Sequence, residues 1–137
     1  LVECTYLELP VLKGFTIVPN KPFLLENTIL RTENALSFDI RKDSSIFMYD
    51  IYLYYGNQIV NYLRIPASVN TDTPVRFSQK GIDADSLVLF GYDYNFSNYY
   101  LTSNTSLNFN KYRETFTTVT NGYGVFGSLN LAGYKIK

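Results

Sequence analysis

Four groups of residues in this chain have types and spacings that can do chemistry. Gly122, Gly124 and Gly127 in "NGYGVFG" spell G-x-G-x-x-G, the pattern of a loop whose amides cradle a phosphate at the start of a helix. Asp83 and Asp85 in "GIDADS" set two carboxylates near each other, as at the start of a calcium loop or in one half of a glycosidase pair. Tyr92, Tyr94 and Tyr99 are rings on which a sugar can stack. Asn95-Phe-Ser97 and Asn104-Thr-Ser106 are N-glycosylation sequons, which matter only in a secreted eukaryotic chain.

Each pattern has a plainer reading. A dinucleotide loop needs a helix after the glycines and an acidic residue about twenty positions on. Only ten residues follow Gly127, and "SLNLAGYKIK" holds no acid and alternates like a strand. The glycines are therefore expected to form a structural turn, supplying positive φ or a bulge before the last strand. Around Asp83 and Asp85 the full D-x-D-x-D-G…E pattern is missing, so they are weak metal candidates and read as a solvated turn. No metal and no cofactor is expected. The tyrosines suit strands and interfaces, and packing is favoured over ligand stacking.

Composition narrows the chemistry further. The chain has no histidine, which removes the commonest general base and every Ser-His or Cys-His pair. Cys4 is the single cysteine, so no disulfide can close within the chain, and its alternation with Val2 and Tyr6 reads as a strand position. Twelve basic and twelve acidic residues leave no net charge, and a nucleic-acid partner is not expected. No apolar run reaches the length of a membrane span. Thirteen tyrosines and ten phenylalanines without tryptophan, together with the missing histidine and single cysteine, suit a secreted or surface β-domain better than a cytosolic enzyme.

The elements that must position these residues are strands. Leu36, Phe38 and Ile40 share one face of "ALSFDI", with Ser37, Asp39 and Arg41 on the other. The strongest hairpin signal is "IFMYDIYLYYGNQIVNYLRIPA", turning at Gly56-Asn57. "KGFTIV", "VRFSQKG", "DSLVLFGYDYN", "ETFTTVT" and the closing "SLNLAGYKIK" read as further strands, with Tyr92 and Tyr94 on one face of theirs. Ser97 is expected to cap a short helix that carries Tyr100 and Leu101 inward. Seven to nine strands in 137 residues predict an all-β domain, an immunoglobulin- or fibronectin-III-like antiparallel β-sandwich with one short helix. One domain is expected over residues 1–137, as a chain that continues a longer precursor.

Three stretches carry a family resemblance. "ALSFDIRKDSSIFMYDIYLYYGNQ", "DSLVLFGYDYNFSNYYLTSN" and "VTNGYGVFGSLNLAGY" resemble the C-terminal part of Bacteroidetes outer-membrane lipoproteins of the DUF4249 type. Their closing N-G-x-G-[IV]-F-G signature is matched by Asn121, Gly122, Gly124, Val125, Phe126 and Gly127. The resemblance implies a location at the cell surface, outer membrane or periplasm, and association with TonB-dependent nutrient transporters. It brings no catalytic residues. The expected function is a non-enzymatic interaction module, docking a protein partner of an outer-membrane complex by aromatic-rich strands or by edge-strand addition. The alternative is a carbohydrate-binding module that stacks a glycan on Tyr92, Tyr94 and Tyr99.

Overall fold

A computed structural model describes residues 1–4, 11–78, 83–102, 118–121 and 125–137. Gly122, Gly124 and the sequon at Asn104 lie outside these residues. The described elements, in chain order, are β1 (Val2–Cys4), β2 (Leu12–Gly14), β3 (Leu24–Thr32), β4 (Ala35–Ile40), β5 (Met48–Tyr55) and β6 (Gln58–Pro66), followed by β7 (Thr73–Phe77), β8 (Ser86–Tyr92), α1 (Tyr94–Thr102), β9 (Val119–Thr120) and β10 (Leu129–Lys135). All pairings are antiparallel and fall into three sheets. A four-stranded sheet has the order β10-β8-β5-β6, a three-stranded sheet the order β3-β4-β7, and a small sheet the order β1-β2-β9.

The alternation read in β4 is what makes the sandwich. Leu36, Phe38 and Ile40 point inward with Val75 and Phe77 of β7, and Tyr49, Ile51 and Leu53 of β5 meet them with Leu87 and Leu89 of β8. Both sheets thus bury one face against the other and share one core. β5 is buried at five of its eight positions because part of its other face is covered as well. The turn between β5 and β6 places Gly56 at a φ of 56°, the left-handed conformation anticipated for it.

Several local expectations are corrected. "KGFTIV" is a strand only as far as Gly14; Phe15, Ile17 and Val18 follow as an irregular, exposed stretch. That stretch runs beside β10 and is held by side chains instead of a backbone ladder. Ser128 Oγ donates to the Ile17 carbonyl at 3.0 Å, Asn130 Nδ2 to Pro19 at 3.2 Å and Tyr134 Oη to Pro22 at 2.8 Å. β8 ends at Tyr92, so Tyr94 belongs to the helix and does not share a strand face with Tyr92. The helix cap is Asp93, not Ser97: Asp93 Oδ1 accepts the Phe96 amide at 2.9 Å, one turn earlier than expected. Ser97 lies within the first turns, where its hydroxyl donates to the Asp93 carbonyl at 2.6 Å.

Gly127 has a role other than positive φ. A Cβ there would stand 2.7 Å from Phe96 Cδ2 and 3.1 Å from Asp93 Oδ1, so glycine lets the chain pass over the start of α1. Among the described non-glycine residues the left-handed conformation falls on Asn121, at a φ of 64°.

The core holds one anomaly. Tyr49 is fully buried and its hydroxyl has no hydrogen-bond partner among the described residues. Burial, with the charges of Asp43 and Asp72, pushes this phenol up to about 12, so it stays neutral. Removing an orphan hydroxyl leaves nothing else unpaired. Tyr49→Phe is expected to keep or raise stability by up to about 1 kcal/mol. Leu53→Ala, which empties space in the same core, is expected to lose about 2–5 kcal/mol. Urea denaturation of the two variants checks the contrast; a clear loss in Tyr49→Phe would reveal a hidden partner of the hydroxyl.

Candidate functional site

The outer face of the four-stranded sheet, opposite the core, is a grid fixed by register. Reading from β6 through β5 and β8 to β10, one row is Pro66, Met48, Tyr92 and Leu129. The next is Arg64, Asp50, Phe90 and Leu131, and the third is Tyr62, Tyr52, Val88 and Gly133. At its centre sits a carboxylate: Asp50 is 1% exposed.

Every polar neighbour of Asp50 is a donor. Arg64 grips it with two bonds, Nε to Oδ1 at 2.6 Å and Nη2 to Oδ2 at 2.7 Å. Tyr62 Oη donates to Oδ1 at 3.0 Å and Tyr92 Oη to Oδ2 at 2.9 Å. The carboxylate therefore accepts four hydrogen bonds, about its full capacity. The far side of the Arg64 guanidinium lies over the Tyr100 ring of α1, 4.3 Å from its centroid. Tyr100 also meets Tyr92 edge-on at 5.9 Å and Phe96 at 6.0 Å, so α1 docks onto the upper rows of the grid.

The titrations follow from these contacts. Burial pushes the Asp50 carboxyl up, but the Arg64 and Tyr92 hydrogen bonds, the Arg64 charge and the Tyr62 hydrogen bond outweigh it and hold Asp50 below its ordinary 3.8. Tyr62 is pushed up to about 12 by burial and by the carboxylate it donates to. Tyr92 is raised for the same reasons, and Arg64 is raised first by its bond to Asp50. All four groups hold a single charge state across neutral pH. No member is poised to give or take a proton, and the cluster is a fixed clamp rather than an acid–base pair.

Below the clamp the grid is open and apolar. Tyr52 stacks obliquely on Tyr62 at 4.7 Å and meets Phe90 edge-on at 5.6 Å. Tyr62 is 42% and Leu131 48% exposed, with Val88, Phe90 and Tyr52 half-buried between them. The edges of the sheet are guarded. Asn61 Oδ1 accepts the amide of Tyr62 at 2.8 Å in β6, and Asn130 Oδ1 accepts that of Leu131 at 2.9 Å in β10. A register shift between Leu53 and Tyr54 distorts one end of β6, and Pro66 ends the other.

No protein-family model, curated protein or solved structure matches this chain. Its site residues are therefore read from geometry. Tyr92, Tyr94 and Tyr99 do not form a platform: Tyr92 is 8% exposed and its hydroxyl is bound to Asp50, whereas Tyr94 and Tyr99 stand 54% and 38% exposed on α1. Asp85 is turned to the β5–β6 hairpin, accepting the Gly56 amide at 2.9 Å and the Ser86 hydroxyl at 2.7 Å. Asp83 faces Lys137 at 3.5 Å. The described residues hold no cluster of three or more metal-ligating acids or cysteines. The sequon asparagine Asn95 donates from its amide nitrogen to the carbonyls of Phe15 at 2.9 Å and Phe126 at 2.8 Å, which ties it to structure.

Asp50 and Arg64 were missed by motif reading because no motif joins them; their pairing depends on the β5–β6 register. A signal existed, since a charged residue alternating with Met48 and Tyr52 on an otherwise aromatic strand needs a cross-strand partner.

The clamp predicts a pH profile. A carboxylate with a lowered folded pKa stabilises above its ordinary 3.8, and that stability is lost as pH falls through the folded value. A phenol raised to about 12 stabilises below its ordinary 10.0 and is lost as pH rises toward the folded value. The urea midpoint is expected to be flat from about pH 5 to pH 8 and to fall on both sides. Asp50→Asn is expected to shrink the acid limb. Arg64→Met, which strands the buried carboxylate, is expected to cost about 2–4 kcal/mol at neutral pH. A loss below about 0.5 kcal/mol would show that the pair acts as an ordinary surface ion pair.

Proposed function

We propose that this chain is a non-catalytic interaction module that docks a protein partner on the open aromatic face of its four-stranded sheet. The observation that carries the reading is the patch of Tyr52, Tyr62, Val88, Phe90 and Leu131, apolar side chains on the solvent side of a sheet. Such a face is where an interface core forms: large rings lose little conformational entropy on contact, and the nearest charges, Asp50 and Arg64, are paired with each other. The guarded edges favour face docking over strand addition, because a partner strand must first displace Asn61 or Asn130.

The strand order supports an immunoglobulin- or fibronectin-III-like sandwich, with three strands against four and crossings between the sheets after β4, β6 and β7. The resemblance to outer-membrane lipoproteins of the DUF4249 type supplies the partner class, an outer-membrane TonB-dependent transport complex at the cell surface or in the periplasm. Among the described residues no helix is long and apolar enough to cross a membrane.

The test is detergent extraction of native membranes with the chain tagged and co-purifying proteins identified by mass spectrometry. Stoichiometric recovery of an outer-membrane transporter is expected. Leu131→Arg, which charges the patch without touching the Asp50 clamp, is expected to reduce that recovery at least about tenfold. Recovery of the chain alone sinks the reading. The second reading, a glycan stacked on Tyr52 and Tyr62 in place of the buried Tyr92, would then be tested on a glycan panel.

A further inference from the structure

A cleft of about 440 Å³ opens beside the start of α1, at the end of the sandwich away from the β5–β6 hairpin. Its size falls among small-molecule sites, about 300–1,000 Å³. The walls are apolar and aromatic: Phe15 and Ile17 come from the irregular stretch after β2, Phe47 from the residue before β5, and Tyr94 from the first turn of α1. Phe47 and Tyr94 meet edge-on with centroids 5.4 Å apart, while Phe15 and Phe47 remain 62% and 42% exposed.

Among the described residues, one charged side chain contributes to this lining. Asp93 is only 4% exposed. Its Oδ1 accepts the Phe96 amide at 2.9 Å and its Oδ2 accepts the Thr16 hydroxyl. Those bonds use two of about four acceptor positions on the carboxylate. Among the described residues no lysine or arginine forms an ion pair with it. Asp50, by contrast, has Arg64 and a full set of donors.

A second acid reinforces the sign. Ser45 lines the cleft, and its amide and hydroxyl donate to Asp43 Oδ1 at 2.8 Å and 2.5 Å. Burial pushes Asp43 up, but these bonds and one from Asn20 outweigh it and hold the carboxyl below its ordinary value. The cleft thus combines aromatic walls, negative charge and unused acceptor capacity, with no basic side chain among the described residues of its lining.

We propose that this cleft binds a small organic ammonium ion with an aromatic or alkyl body. The ammonium donates to the remaining acceptor positions of Asp93, and the body packs against Phe15, Phe47 and Tyr94. Charge-assisted hydrogen bonding and the negative faces of the rings both select a cation over a neutral molecule of the same shape. An anion is opposed by Asp93 and Asp43. The site lies apart from the patch proposed for a protein partner, and neither reading depends on the other.

The experiment is an NMR titration of the full chain with phenethylammonium, its neutral isostere 2-phenylethanol and the anion 3-phenylpropanoate. Phenethylammonium is expected to shift the amides around Asp93 and to bind at least about tenfold tighter than 2-phenylethanol, with no binding of the anion. Asp93→Asn keeps a side chain able to cap α1 and removes the charge, so the preference for the cation is expected to vanish while the helix remains. Phe47→Ala is expected to weaken both ligands together. Equal affinity for the amine and the alcohol, a preference that survives in Asp93→Asn, or no binding of phenethylammonium up to about 10 mM overturns the proposal. The comparison of the three ligands on the native chain decides the matter even where Asp93→Asn fails to fold.

Discussion

A carboxylate in the middle of a sheet face costs several kcal/mol in lost hydration unless its surroundings replace the water it gave up. Asp50 meets that condition with a bidentate guanidinium and a phenol from β6 and a second phenol from β8, with the ring of Tyr100 in α1 over the guanidinium. The donors flank Asp50 on both neighbouring strands, so the cluster forms only when β5, β6 and β8 are in register. A slip by one residue in β6 would send Arg64 to the core side and leave Asp50 unpaired. The clamp therefore specifies register, fixes the seat of α1 through Tyr92 and Tyr100, and leaves the lower rows of the sheet as the open aromatic face.

Asp93 plays the complementary part at the end of the sandwich. It terminates β8, caps α1 and receives Thr16 from the chain's first segment, tying the β8–α1 junction to a residue 77 positions earlier. Gly127 completes the junction, since any side chain there would collide with Phe96. The same carboxylate that organises this corner gives the adjoining cleft its charge. Structural and recognition roles meet here because capping leaves part of a carboxylate's hydrogen-bonding capacity unused.

The surroundings of Asp50 also bear on the proposed docking role. Asp50 is saturated with donors and held to one charge state, and the phenols around it are pushed away from neutral pH. Under that proposal, the face offers a partner shape and apolar area, held in place by the hydrogen bonds to Asp50. The sheet edges, closed by Asn61 and Asn130, turn that offer toward the face.

How much of this was legible in the sequence can be judged element by element. Alternation in "ALSFDI", the aromatic run to Tyr55 and the Gly56-Asn57 turn determined the β class, the hairpin and the core side of β4, because a strand's period of two and glycine's tolerance of positive φ are local properties. The missing histidine and single cysteine limited the available chemistry without any fold. Tertiary structure decided the rest. Tyr92 and Tyr94 look equivalent in the sequence, yet one is locked to Asp50 and the other stands on a helix, because β8 ends between them where Asp93 can cap. Arg64 reads as an ordinary strand charge until register sets it opposite Asp50, and Gly127 reads as a turn residue until Phe96 lies against it. Local pattern chooses the element; which side chains meet depends on pairing and packing between segments far apart in the chain, and that is where both candidate sites arise.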